Sequence, residues 1–66
     1  MDIKQLQQNL MYLIEKYVPN REDLKKLICD DTDSAKYILV QIGKYKSSEY
    51  TDEDIEMIKD IVFYYV

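Results

Sequence analysis

A chain of 66 residues with a single cysteine, Cys29, and no histidine cannot staple itself. It can form no intrachain disulfide, and a structural zinc site, which needs cysteine and histidine in groups, is excluded as well. A domain this small buries only a modest part of its unfolded surface, so its core is marginal unless packing is good or a partner completes it. Helix packing, self-association or a partner must therefore hold a single domain spanning residues 1–66. Hydrophobic residues at 47% and charged residues at 33% fit a globular chain rather than a disordered one.

The apolar spacing is helical almost throughout. Ile3, Leu6, Leu10, Leu13 and Tyr17 alternate steps of three and four, a heptad seam that Met11, Ile14 and Val18 widen. Pro19 ends this first segment, because the residue before a proline avoids the helical region. Asn20 is the expected N-cap of a short second segment, with Glu22 and Asp23 in its first turn and Leu24, Leu27 and Ile28 on its buried edge. The stretch CDDTDS then supplies caps for a third segment that places Ala35, Ile38, Leu39, Ile42 and Tyr45 on one face. Residues 37–42 are rich in β-branched and aromatic side chains and also suit a strand, but no second strand is evident to pair with them. Gly43 marks either a close helix contact or an early end.

The closing stretch TDEDIEMIKDIVFYYV carries the clearest helix signal. Thr51 and Asp54 have the spacing of a capping box, and Asp52, Glu53 and Asp54 sit at the positive end of the helix dipole. Ile55, Ile58, Ile61, Val62 and Tyr65 form the expected core stripe. The fold class is thus all-α: a small bundle of three longer helices plus one short helix.

Charge is unevenly spread. Residues 49–66 hold six acids against Lys59 alone, while the chain as a whole carries a net −4. Such a protein repels nucleic acid and anionic membranes and suits a basic partner. The opening MDIKQLQQNL lacks the basic and apolar regions of a signal peptide, and YILV and IVFYYV are too short to cross a bilayer. Together with the lone cysteine, this leads to the expectation of a cytoplasmic protein.

No motif for chemistry emerges, so the chain is read as a non-enzyme without cofactor or metal. Nothing marks a carboxylate pair at a working distance. Acids after Cys29 make a poor setting for a reactive thiolate, so it is read as a small buried hydrophobe rather than a nucleophile. Asp30, Asp31 and Asp33 begin like a calcium loop, but the glycine at the sixth position and the glutamate at the twelfth are missing. Segments two and three could form a helix-turn-helix with Lys36, Gln41 and Lys44 on a reading helix. The acidic turn before them would then face phosphates with no basic stripe to compensate.

On the last helix a second stripe remains. Glu53, Met57, Asp60 and Tyr64 recur at steps of four, three and four, with Glu56 and Phe63 on the same outward side. Methionine and aromatics among charges are the make-up of an interface. Seven tyrosines in the chain point the same way, since tyrosine is frequent at binding hot spots. Tyr12, Tyr37 and Tyr50 fall off the main core stripes. The expected partner-binding residues are Glu53, Glu56, Met57, Asp60 and Tyr64, facing a protein with a basic surface. By analogy of size and charge alone, the chain resembles the stoichiometric inhibitors of phages and plasmids, such as immunity and anti-defence proteins. The alternatives are a homodimer or other homo-oligomer, built on the seam of the first helix or the aromatic end of the last, and a small helix-turn-helix-like regulator.

Overall fold

The structure, a computed structural model, describes residues 3–29 and 31–65. Among them are four α-helices: α1 (Ile3–Tyr17), α2 (Glu22–Lys26), α3 (Thr32–Lys46) and α4 (Asp52–Tyr65), with a single 3₁₀ turn at Ser47–Glu49. Residues 37–42 are helical, because α3 runs through them unbroken. The three long helices pack against one another around Leu6, Leu10, Leu13, Ile14, Leu24, Ala35, Ile38, Ile42 and Ile61.

Each helix boundary has a local cause. Past Tyr17 the chain turns, with the Arg21 N–H donating to the Val18 carbonyl at 3.0 Å. Pro19 occupies the turn position that its fixed φ suits. Asn20 is used up in this turn, so the residue before α2 is Arg21, which makes no side-chain cap, and the expected Asn20 cap does not form. The expected cap of α3 from the CDDTDS stretch does form, at Asp31: its Oδ2 accepts from the Ser34 N–H at 3.0 Å and the Ser34 hydroxyl at 2.9 Å. Gly43 lies inside α3 rather than at its end. A Cβ there would meet the Tyr50 hydroxyl at 3.6 Å, an ordinary contact.

Five positions differ from the sequence reading. Cys29 is exposed, because α2 ends at Lys26 and leaves the cysteine beyond any helix face. Leu27, at the C-cap of α2, is on the surface rather than on the buried edge. Tyr45 is mostly exposed, lying in the last turn of α3 beside the Pro19–Arg21 turn, where α1 no longer covers it. The largest difference is in α4. Its buried positions are Asp54, Ile61 and Tyr65, with Ile58 partly buried, while Ile55 and Val62 stand at the surface. The helix is rolled toward Asp54 relative to the apolar stripe.

This roll has a direct energetic signature. Leu10→Ala and Ile61→Ala should each destabilise the fold by about 2–5 kcal/mol, whereas Val62→Ala should change it by less than about 1 kcal/mol. Equal losses at Ile61 and Val62 in thermal melts would contradict the roll. Gly43→Ala, within a helix and without a clash, should stabilise by about 0.5–1 kcal/mol.

Candidate functional site

The roll of α4 begins at its first turn. Thr51 Oγ1 accepts from the Asp54 N–H at 3.2 Å, the first half of a capping box. The Asp54 carboxylate turns into the protein, where it has no exposed surface. Lys16 Nζ, in the last turn of α1, lies 2.8 Å from Asp54 Oδ2, and the Tyr17 hydroxyl donates a hydrogen bond to the same oxygen. That hydroxyl also lies 3.3 Å from the Glu49 carbonyl oxygen. The Tyr17 ring meets Tyr50 edge-on at 5.1 Å, and Lys16 donates to the Tyr12 hydroxyl at 3.2 Å. The acid sits near a helix N-terminus and the lysine near a helix C-terminus, the ends that favour each charge.

The titration of these groups follows from the geometry. Burial pushes Asp54 up, but hydrogen bonds with Lys16, Tyr17 and Thr51 outweigh it and hold the carboxyl well below the usual range. The hydrogen bond to Asp54 raises Lys16, and burial followed by Asp54 raises Tyr17. Burial also raises Tyr50.

With one side of α4 committed to the core, the rest is displayed in rows four residues apart. Asp52, Glu56, Asp60 and Tyr64 form one row. Ile55, Lys59 and Phe63 form the next, and Ile58 and Val62 the row nearest the core on that side. Phe63 is 88% exposed, Val62 43% and Ile55 38%. Between the second and third rows lies an open groove of about 660 Å³ lined by Ile58, Lys59, Val62 and Phe63. Lys59 Nζ reaches across to Glu56 at 3.6 Å.

Of the residues expected to face a partner, Glu53, Glu56, Asp60 and Tyr64 are exposed, and Met57 is half-buried on the side toward the core. Glu56, Asp60 and Tyr64 share one row, and the Tyr64 ring stands edge-on to Tyr65 at 4.9 Å. Glu53 and Met57 belong to the row that descends through Ile61 and Tyr65 into the core, so they lie at its margin. Ile55 and Val62 were assigned to the core by periodicity and instead join Phe63 on the surface. The sequence did hold a signal for this. Asp54 lies four residues before Ile58, seven before Ile61 and eleven before Tyr65, on the same stripe. Comparison with protein-family models, with curated proteins and with solved structures returns no match for this chain.

Because Asp54 titrates lower in the folded chain than the ~3.9 of an unfolded aspartate, its contribution is complete above that value. It is lost progressively as pH falls toward the folded pKa. Asp54→Asn should therefore lower the melting temperature at pH 7 and flatten its decline below about pH 4. Tyr17→Phe should lower the melting temperature by roughly 10 °C, since it strips a donor from a buried carboxylate. Since Tyr17 and Tyr50 are raised, stability should also fall as pH climbs above about 10. An acid limb identical in parent and Asp54→Asn, followed by circular dichroism, would refute this role of Asp54.

Proposed function

We propose that the protein is a small acidic protein-binding module, an inhibitor or regulator that acts by covering a basic surface of a partner protein. One observation carries the reading: α4 satisfies its fold with a single side and displays an unbroken row of acids, Asp52, Glu56 and Asp60, beside exposed Ile55, Val62 and Phe63. Carboxylates at such a rim speed encounter, and buried aromatics slow release. A basic surface that suits this row is of the kind that otherwise receives nucleic acid, so occlusion is the mechanism and catalysis plays no part. The phage and plasmid inhibitors remain the nearest analogy in size and charge, and a cytoplasmic setting agrees with it.

Neither alternative is favoured by a specific observation. Pairing two copies through α4 sets two acid rows close together. As a reading helix, α3 loses Gln41, which is half-buried and accepts a 3.4 Å hydrogen bond from Arg21.

Reversal of Glu56 and Asp60 to lysine should leave stability within about 0.5 kcal/mol, as exposed charges contribute little. In capture experiments with immobilised protein, the parent should retain basic proteins that high salt releases, and the double variant should not. Tyr64→Ala should raise the dissociation rate of a captured partner by roughly 30-fold, as for a hot-spot side chain of about 2 kcal/mol. Equal retention by parent and double variant, or a sub-micromolar, salt-sensitive shift of duplex DNA, would overturn the proposal.

A further inference from the structure

Phe63, Val62 and Ile55 are large apolar side chains left at the surface of a protein too small to spare them. Their arrangement narrows what covers them. The groove, lined by Lys59 and Phe63 on one side and Ile58 and Val62 on the other, runs along an i+4 row direction, the shape that receives a ridge of side chains from a second helix. Ile58 to Phe63 spans about 7.5 Å at the helical rise, and exposed Ile55, a turn earlier, extends the apolar surface to about 12 Å, enough for two turns of a partner. Among the described residues no strand offers an edge, so main-chain pairing with an extended peptide has no template here. Lys59 stands in the groove wall itself, paired to Glu56 at 3.6 Å; beyond it one flank is acidic, with Asp52, Glu56 and Asp60 exposed, and the opposite flank descends into the core.

We infer that this groove docks an amphipathic helix of a partner protein, with an apolar ridge seated between Val62 and Phe63 and a basic row on one flank against Asp52, Glu56 and Asp60. The inference rests on the reading of α4 as the partner-facing helix and adds the form of the partner's contact. A second copy of this chain is a poor occupant, because its own α4 brings the same acid row. The anchors of the docked helix recur every three or four residues, and its lysines or arginines recur every four on a single side. The short span makes the contact by itself a weak one, strengthened by whatever else of the partner touches the surface.

The test uses the full chain and three synthetic peptides of about 18 residues, roughly five helical turns. The first carries leucines on an i, i+3, i+4, i+7 face flanked on one side by lysines. The second is a scrambled isomer of it, and the third replaces its lysines with glutamate. Titration followed by amide chemical shifts should show the first peptide binding at least tenfold more tightly than either control. Shifts should be concentrated at residues 55–63, and the peptide should gain helicity. Phe63→Asp and Val62→Asp, both at exposed positions, should keep the parent's circular dichroism and weaken binding at least tenfold. Equal binding of the scrambled isomer would overturn the helix while leaving the basic-partner reading standing. Failure of both basic peptides at millimolar concentration would overturn both. Shifts centred elsewhere, or binding indifferent to both substitutions, would overturn the groove. A dimer in sedimentation that Phe63→Asp dissolves would assign the groove to a second copy and overturn the inference.

Discussion

Removing a carboxylate from water costs several kcal/mol unless charge and hydrogen-bond donors replace its hydration. Asp54 meets that demand at Oδ2 with Lys16 and Tyr17, both from the end of α1, while Oδ1 is buried with no hydrogen-bond partner among the described residues. The pair acts as a joint: it sets where α4 begins relative to α1 and how far α4 is rotated about its own axis. Rotation then decides which side chains reach the core. Ile61 and Tyr65 are drawn in on the turns that follow Asp54, and Ile55 and Val62 are turned out. A single polar anchor thus defines both the inner and the outer surface of the last helix.

Most of the fold was legible in the sequence because helical periodicity and punctuation agree. The seam of α1 and the stop at Pro19 coincide with the helix observed. Residues 37–42 carry strand-forming side chains, yet Ala35, Ile38 and Ile42 sit at helical spacing, and tertiary burial prevails over local propensity. What periodicity hides is the share of a stripe taken by a polar residue with long-range partners. Counting apolar positions in α4 centres the stripe near Ile58 and Val62. Including Asp54 moves the centre toward Ile61. Lys16 and Tyr17 lie 38 and 37 residues away in the chain, and no local rule links them to it.

The candidate face was legible to a lesser degree. Glu56, Asp60 and Tyr64 were identifiable as outward residues from their spacing, and they share a row. Met57 was placed among them because the wheel alone does not say how deeply a neighbouring helix covers the margin, and it is half-buried. The apolar part of the surface was concealed by the roll itself, since Ile55 and Val62 look like core until Asp54 is counted. Exposed apolar groups beside a row of acids are a costly arrangement in a domain with so little core to spare. That arrangement, absent from α1, is the ground on which α4 is proposed to face a partner.

The joint also bears on the order in which the chain assembles. Tyr17 and Asp54 close a loop of 37 residues, and closure entropy must be overcome before their contact contributes anything. The turns at Val18–Arg21 and Asp31–Ser34 link α1, α2 and α3 through short connections that form early. Docking of α4 onto α1 therefore carries a closure cost that the short connections between α1, α2 and α3 do not.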